Sequence, residues 1–161
     1  MELISNLSPQ TDPPKGAYSA RVDEKGRLKL PAKLQQYISS FGSPRVFVTS
    51  LDTTTARIYP ISIWKENEIL LENYTEDPQA AEDIAFIAND LGADAEVDSQ
   101  GRVLLPQELR QLLGVENQQV HLQWFKGRIT LFTDNVYESR RAAARENLAG
   151  KLQGVEKGGL K

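Results

Sequence analysis

The segment Ala20-Arg21-Val22-Asp23-Glu24-Lys25-Gly26-Arg27-Leu28-Lys29-Leu30-Pro31 returns 75 positions later as Ala95-Glu96-Val97-Asp98-Ser99-Gln100-Gly101-Arg102-Val103-Leu104-Leu105-Pro106. Seven of the twelve positions are identical: Ala, Val, Asp, Gly, Arg, Leu and Pro. The likeness continues weakly through Leu34/Leu109 and Gln36/Gln111. At a slightly shorter offset Ile58-Tyr59 matches Leu131-Phe132 in kind, and Trp64 falls on the aromatic Tyr137. With only two copies of a unit of about 75 residues, the pattern indicates duplication rather than a solenoid.

Within each copy, alternation and turn residues set the order of elements. Tyr18 to Val22 alternates apolar and polar like a short strand, Asp23-Glu24-Lys25-Gly26 is turn chemistry, and Arg27 to Leu30 alternates again. Gly26 and Gly101 supply the positive φ that a tight hairpin end requires. Pro31 and Pro106 suit the first turn of a helix, where a missing N–H costs nothing. Leu34, Tyr37, Ile38 and Phe41 follow at helical spacing before Gly42, and Leu109, Leu112 and Leu113 do so before Gly114. Strand pairs come next: Arg45 to Thr49 with Ala56 to Tyr59, and Gln119 to Phe125 with Arg128 to Phe132 across the Lys126-Gly127 turn.

A helix closes each copy. The first carries Ile63, Trp64, Leu70, Leu71 and Tyr74 with Ser62 or a neighbour as cap; the second carries Val136, Tyr137, Arg140, Ala144 and Leu148 with Asp134 as cap. Asp77-Pro78 opens a linking helix whose apolar face is Ala80, Ile84, Ile87, Ala88 and Leu91. The expected fold class is α+β with a pseudo-twofold arrangement. The expected divisions are a flexible extension at 1–15, a first unit at 16–76, the linking helix at 77–92, a second unit at 93–150 and a flexible tail at 151–161.

Composition narrows the function classes. The chain has 161 residues, room for one ordinary domain or two small ones, and is 40% hydrophobic and 25% charged with 11 Gly and 8 Pro. No run approaches the roughly 18–20 apolar residues that span a bilayer. Met1-Glu2-Leu3-Ile4-Ser5-Asn6-Leu7 has neither the basic start nor the long apolar stretch of a signal peptide. Cysteine is absent, which excludes disulfides and thiolate chemistry and fits a reducing cytoplasm.

The net charge of −3 hides segregation. Lys15 to Lys33 holds six basic and two acidic residues, Glu66 to Asp98 holds eleven acidic and no basic ones, and Arg140 to Lys161 holds six basic and two acidic. A local basic patch can hold an anion while the remainder keeps the chain in solution; a solvated surface is the plain alternative.

In each copy an Asp and an Arg stand four apart across the turn, as Asp23/Arg27 and Asp98/Arg102. A carboxylate so placed accepts hydrogen bonds from turn amides or braces the guanidinium. A braced arginine at a hairpin tip can engage phosphate or a guanine edge, and the same pair can serve only to fix the turn. Lys25, Lys29 and Lys33 are phosphate candidates, with Lys33 more readily read as a solvated helix residue. Arg140, Arg141 and Arg145 form either a further basic stripe or a solvated face.

These stretches resemble the MraZ proteins. Gly16-Ala17-Tyr18, Val22-Asp23-Glu24-Lys25-Gly26-Arg27-Leu28 and Leu30-Pro31-Ala32-Lys33 look like the family's first half. Tyr59-Pro60-Ile61-Ser62-Ile63-Trp64 is similar to its Tyr-Pro-x-x-x-Trp segment, and Asp98 to Arg102 with Leu105-Pro106 to its second motif. The resemblance covers roughly residues 16–148. It implies two tandem AbrB-like swapped-hairpin units in one polypeptide, assembled into a ring of several subunits. It also implies a nucleoid-associated, cytoplasmic regulator of division and cell-wall genes that binds specific DNA through both motifs. By that carry-over the DNA-binding residues are Asp23, Lys25, Arg27, Asp98 and Arg102, with Lys29 added from its place in the basic run. About fifteen residues precede the first family segment, Ala20 stands where His is common, and Gln100 stands where Lys is typical. The window 90–108 has one basic residue against five acidic ones, so the second motif is expected to contact DNA weakly.

Other classes fit less well. The single histidine, His121, sits in an alternating strand with no second His to complete a metal site. Asp23 and Asp98 are two repeat carboxylates, as a catalytic dyad requires, but the arginine beside each would hold both ionised rather than sharing a proton. No phosphate-cradling or dinucleotide fingerprint is present. No catalytic residue, cofactor, metal, membrane or small-molecule substrate is expected; the expected partners are double-stranded DNA and further copies of the chain. The alternative is an oligomeric interaction module with weak or no specific DNA binding.

Overall fold

A computed structural model describes residues 12–161. Among them the order is β1 (Ala17–Arg21), β2 (Arg27–Lys29), α1 (Ala32–Ser39), β3 (Arg45–Thr49), β4 (Ala56–Pro60), α2 (Ile61–Glu72), α3 (Pro78–Leu91), β5 (Ala93–Glu96), β6 (Arg102–Leu104), α4 (Gln107–Leu113), β7 (Gln119–Phe125), β8 (Arg128–Phe132), α5 (Asp134–Arg145) and α6 (Leu148–Lys157). The strands form a six-stranded antiparallel sheet, β1-β7-β8-β4-β3-β5, and a two-stranded ribbon, β2-β6. The fold is mixed, with antiparallel sheets and helices, as the periodicities lead one to expect.

The strand order has a symmetry that no local reading reveals. Exchanging β1 to β4 for β5 to β8 leaves both sheets unchanged. The registers obey the same exchange: Ala20 faces Val120 in β1–β7, and Ala95 faces Val46 in β5–β3. Leu28 faces Val103 at the centre of the ribbon, and Arg57 faces Thr130 at the centre of the large sheet.

Tyr18–Val22 and Arg27–Leu30 follow one another across a tight turn, yet the other half of the chain completes their pairing: β1 pairs with β7 and β2 with β6. Between the two arms the β-pairing is limited to an isolated Val22–Leu28 bridge, beside the Asp23–Arg27 bonds of the turn. The physical reason is burial. Val22, Leu28 and Leu30 reach zero exposure by packing with Val103, Leu105, Leu109 and Val120 from the other half of the chain. A lone two-stranded hairpin could not have buried them. Seventeen residues make this core between the ribbon and the large sheet. At about 25 cal/mol per Å2 of apolar surface, such burial is the main force holding the two halves together.

The outer face of the large sheet is covered unevenly. On the β3–β4 side, Trp64 of α2 stacks on Phe47 at 4.6 Å and leans on Tyr59 at 5.0 Å. Ala88 of α3 is fully buried there, and Thr49 Oγ1 donates to its carbonyl at 2.7 Å. Among the described residues, the β7–β8 side has only α5, which buries no residue completely, and α6 is exposed along its length.

Details at helix ends also depart from expectation. Pro31 and Pro106 are caps just outside their helices rather than first-turn residues. Pro60, not Ser62, precedes α2, and Ser62 is buried inside its first turn. Thr133, not Asp134, caps α5, accepting from the Val136 amide. Asp77 caps α3 as expected, accepting from the Ala80 amide at 3.0 Å. Leu112 is half exposed, and so are Leu70 and Leu148, so these leave the apolar faces assigned to them. Of the N-terminal extension, residues 1–11 lie outside the described residues. Residues 151–157, expected in a flexible tail, belong to α6.

Candidate nucleic-acid interface

The repeated Asp-x-x-Gly-Arg forms the same turn twice. Asp23 Oδ1 accepts from the Lys25 and Arg27 amides at 2.9 Å each, and Oδ2 accepts from Arg27 Nε at 2.8 Å. Asp98 Oδ1 accepts from the Gln100 and Arg102 amides at 2.9 Å each, and Oδ2 accepts from Arg102 Nε at 3.1 Å. Gly26 closes its turn at φ +84° and Gly101 at φ +76°, the left-handed region where a β-carbon is strained. The bonds donated to each carboxylate, first among them the amide of its own arginine, hold Asp23 and Asp98 below the ordinary value of 3.8 against the opposing effect of burial.

Each carboxylate therefore occupies the Nε side of its guanidinium. Among the described residues, no protein hydrogen bond takes the terminal nitrogens of Arg27 or Arg102, and the two side chains remain 33% and 29% exposed. An arginine held this way offers a fixed two-pronged donor at little further cost in rotamer entropy.

The ribbon brings both turns onto one surface. Leu28 and Val103 point into the core, and alternation turns Arg27, Lys29, Arg102 and Leu104 outward. Arg27 lies opposite Leu104, and Lys29 lies opposite Arg102. Like charges face to face weaken a sheet, and Lys29 eases the conflict by donating Nζ to the Gln100 carbonyl of the second turn. Each turn is anchored to the other strand: the Leu30 amide donates to the Gly101 carbonyl and the Leu105 amide to the Gly26 carbonyl, both at 2.9 Å.

Of the residues expected at the site, Asp23, Arg27, Lys29, Asp98 and Arg102 thus meet on or beside one ribbon, with Lys25 exposed at the first turn. Pairing carries Lys29 of the first copy to the side of the second turn, a positive charge that the count along the chain does not place there. Lys33 is exposed on α1. Arg140, Arg141 and Arg145 lie on α5, across the large sheet from the ribbon.

Three neighbours went unrecognised in the sequence. Leu104 is 55% exposed in the middle of the cationic face. Arg110 Nη1 donates to the Lys25 carbonyl and pairs with Glu116 at 3.1 Å. Gln35, its counterpart 75 positions earlier, packs on Gly101 as Arg110 packs on Gly26. The offset of 75 would have pointed to that pair. His121, the lone histidine, contacts Asp134 at 2.6 Å and stacks on Tyr137, a structural setting far from the ribbon.

Fold and surface together define a mixed α/β protein with antiparallel sheets that displays a ribbon bearing Arg27, Lys29 and Arg102 on its outer face. No family model matches the chain. It is 41% identical over 97 residues to the transcriptional regulator MraZ of Acidobacterium capsulatum, covering 60% of this chain and 66% of that one. It is 31% identical over 105 residues to the transcriptional regulator MraZ of Koribacter versatilis, covering 65% and 71%. With the transcriptional regulator MraZ of Acetivibrio thermocellus it shares 30% over 126 residues, covering 77% and 83%. The chain belongs to the MraZ family. No helix among the described residues is long and apolar enough to cross a membrane.

Proposed function

We propose that this chain is a cytoplasmic, nucleoid-associated transcriptional regulator that binds specific double-stranded DNA through the β2–β6 ribbon and acts on division and cell-wall genes. The observation that carries the reading is the doubled turn. Two carboxylate-braced arginines share one exposed two-stranded face, and such ribbons fit a major groove. Arg27 and Arg102 read base edges or phosphates, Lys25 and Lys29 neutralise phosphates, and Leu104 offers apolar contact to a thymine methyl. Asp23 and Asp98 act by aiming the guanidinia. The names of the relatives support regulation of transcription as the setting.

The two halves, residues 16–76 and 93–150, are read as tandem AbrB-like swapped-hairpin units joined by 77–92; the exchange symmetry of the strand order supports this. One ribbon holds few phosphates, and such contacts weaken steeply with salt. A ring of subunits facing direct repeats gains effective concentration without new contacts.

Fluorescence anisotropy on a direct-repeat duplex across a salt series tests the proposal. The unaltered protein binds with a steep negative slope, and Arg27→Ala flattens that slope by about one ion while weakening binding by about 1–3 kcal/mol. Arg102→Ala is expected to do the same, now that Lys29 is seen beside the second turn. Absence of duplex binding at low salt would favour the interaction-module reading, for which the acidic stretch from Glu66 to Asp98 speaks.

A further inference from the structure

The two turns of the ribbon share their internal bonds but not their support. Inside each, the carboxylate accepts from the amides two and four residues on. The glycine amide donates to the aspartate carbonyl, at 3.1 Å from Gly26 and 2.9 Å from Gly101. What differs is how the peptide before each glycine is held. The Lys25 carbonyl accepts from Arg110 Nη1 at 2.9 Å, whereas the Gln100 carbonyl, its counterpart 75 positions on, accepts from Lys29 Nζ. Arg110 belongs to α4 and its side chain is only 16% exposed, while Lys29 is exposed on the outer face of the ribbon. The first turn is gripped from its half-buried side and the second from its open side.

Arg110 is built into its place. A β-carbon at Gly26 would overlap the Arg110 guanidinium, so the glycine supplies room as well as a positive φ. Glu116 accepts from the same Nη1 at 3.1 Å and balances its charge. Arg110 Nε is buried without an acceptor. Such a donor costs stability that an aliphatic side chain packed there would avoid. Filling the core therefore does not account for a guanidinium at this position, and holding the Lys25 carbonyl does.

The loop beyond α4 straps the first turn a second time. Asn117 donates its amide to the Asp23 carbonyl at 3.3 Å, and Arg21 Nη2 donates to the Asn117 carbonyl and Oδ1 at 2.9 Å each. The second turn lacks both supports. Among the described residues the Asp98 carbonyl takes only the Gly101 amide, and the neutral Gln35 stands beside Gly101 in place of Arg110.

We propose that Arg110 is a positioning residue for DNA binding, which fixes the Lys25–Gly26 peptide before a duplex arrives. Lys25 and Arg27 then meet phosphates and base edges already aimed, and the cost of ordering the turn does not fall on the binding step. The second turn is held by Lys29, itself a phosphate donor that a duplex draws away, so that turn adapts where the first is pre-formed. The inference rests on the ribbon reading above, and Arg110 itself touches no DNA in it.

Two measurements on the full chain test it. In the unaltered protein, hydrogen exchange resolved by mass spectrometry is expected to show the Lys25 and Gly26 amides better protected than those of Gln100 and Gly101, after correction for intrinsic rates. Arg110→Gln gives the first turn the neighbour that the second has. It is expected to remove that difference and to weaken binding of a direct-repeat duplex about 2–10-fold, the worth of one hydrogen bond. Its salt slope is expected to match the parent's, unlike the loss of about one ion expected for Arg27→Ala. Arg110→Lys keeps the charge without the planar group beside Gly26 and is expected to bind as weakly as Arg110→Gln. It also carries the test if circular dichroism shows Arg110→Gln unfolded. Parent affinity in Arg110→Lys would assign the effect to charge and overturn the proposal. Equal protection of the two turns in the unaltered protein would overturn it as well. So would an Arg110 variant whose slope falls by about one ion, which makes Arg110 a phosphate contact. If the unaltered protein binds no duplex, the DNA reading fails and this inference with it. If Arg27→Ala weakens binding and folded Arg110→Gln does not, the DNA reading stands and only this inference falls.

Discussion

At the scale of single residues, the arrangement around each arginine separates bracing from contact. Asp23→Asn keeps an oxygen for the Lys25 and Arg27 amides but sets an NH2 group against Arg27 Nε, two donors facing each other. The turn is expected to survive while the guanidinium loses its aim. Thermal melting should change little and duplex affinity should drop; a variant binding as well as the parent would reduce Asp23 to a turn former. Acid sensitivity follows from the same bonds. Asp23, Asp98 and Asp52 all have folded pKa values below the ordinary 3.8. At Asp52 burial pushes upward and is outweighed by the Thr55 and Thr54 amides. A carboxylate with a depressed folded pKa adds stability that is fully present above its unfolded value and is lost as pH falls through the folded one. Urea midpoints should therefore hold steady near neutrality and decline from about pH 5 downward. Asp98→Asn should blunt that decline, and an identical acid profile would disprove the assignment. These turns were legible in the sequence because their chemistry is local. The positive φ of Gly26 and Gly101 and the four-residue spacing of Asp and Arg require no knowledge of the rest of the chain.

At the scale of elements, legibility tracked how far each decision reached. The Asp77-Pro78 start of α3 depends on neighbouring residues only, and it was readable. Asp77→Ala removes the acceptor for the Ala80 amide and should cost about 1 kcal/mol, measured as a shift in urea midpoint. No shift would mean that water replaces the cap fully. The starts of α2 and α5 were misassigned by one or two residues, since Pro60 and Thr133 compete with Ser62 and Asp134 for the same task. Leu105 is buried at the meeting of ribbon and sheet, so Leu105→Ala should cost about 2–5 kcal/mol by transfer and cavity terms. A loss under about 1 kcal/mol would show a core able to collapse around the gap. Leu112 and Leu148 sit at helical spacing yet stay exposed, because periodicity tells which residues share a face but not whether anything covers it.

At the scale of the whole molecule, the partner of each strand was the least legible feature. Strand pairing is decided by burial across about a hundred residues of chain, and the repeat shows only that two similar pieces exist. Their interleaving implies that neither half can fold as a single copy. Residues 1–92 or 93–161, expressed alone, should be unfolded or should pair with themselves at twice the fragment mass. Amide proton dispersion together with light scattering would decide; a folded, monomeric half would refute interleaving as a requirement. The near-dyad through Leu28 and Val103 also bears on polarity. Half a revolution about that axis lays one turn over the other, so a target approached from either direction would meet almost the same chemistry. What distinguishes forward from backward lies in three exposed exchanges, Glu24 for Ser99, Lys25 for Gln100 and Lys29 for Leu104, and in Arg110 beside one turn against Gln35 beside the other, and an operator's sense of direction would have to be read there.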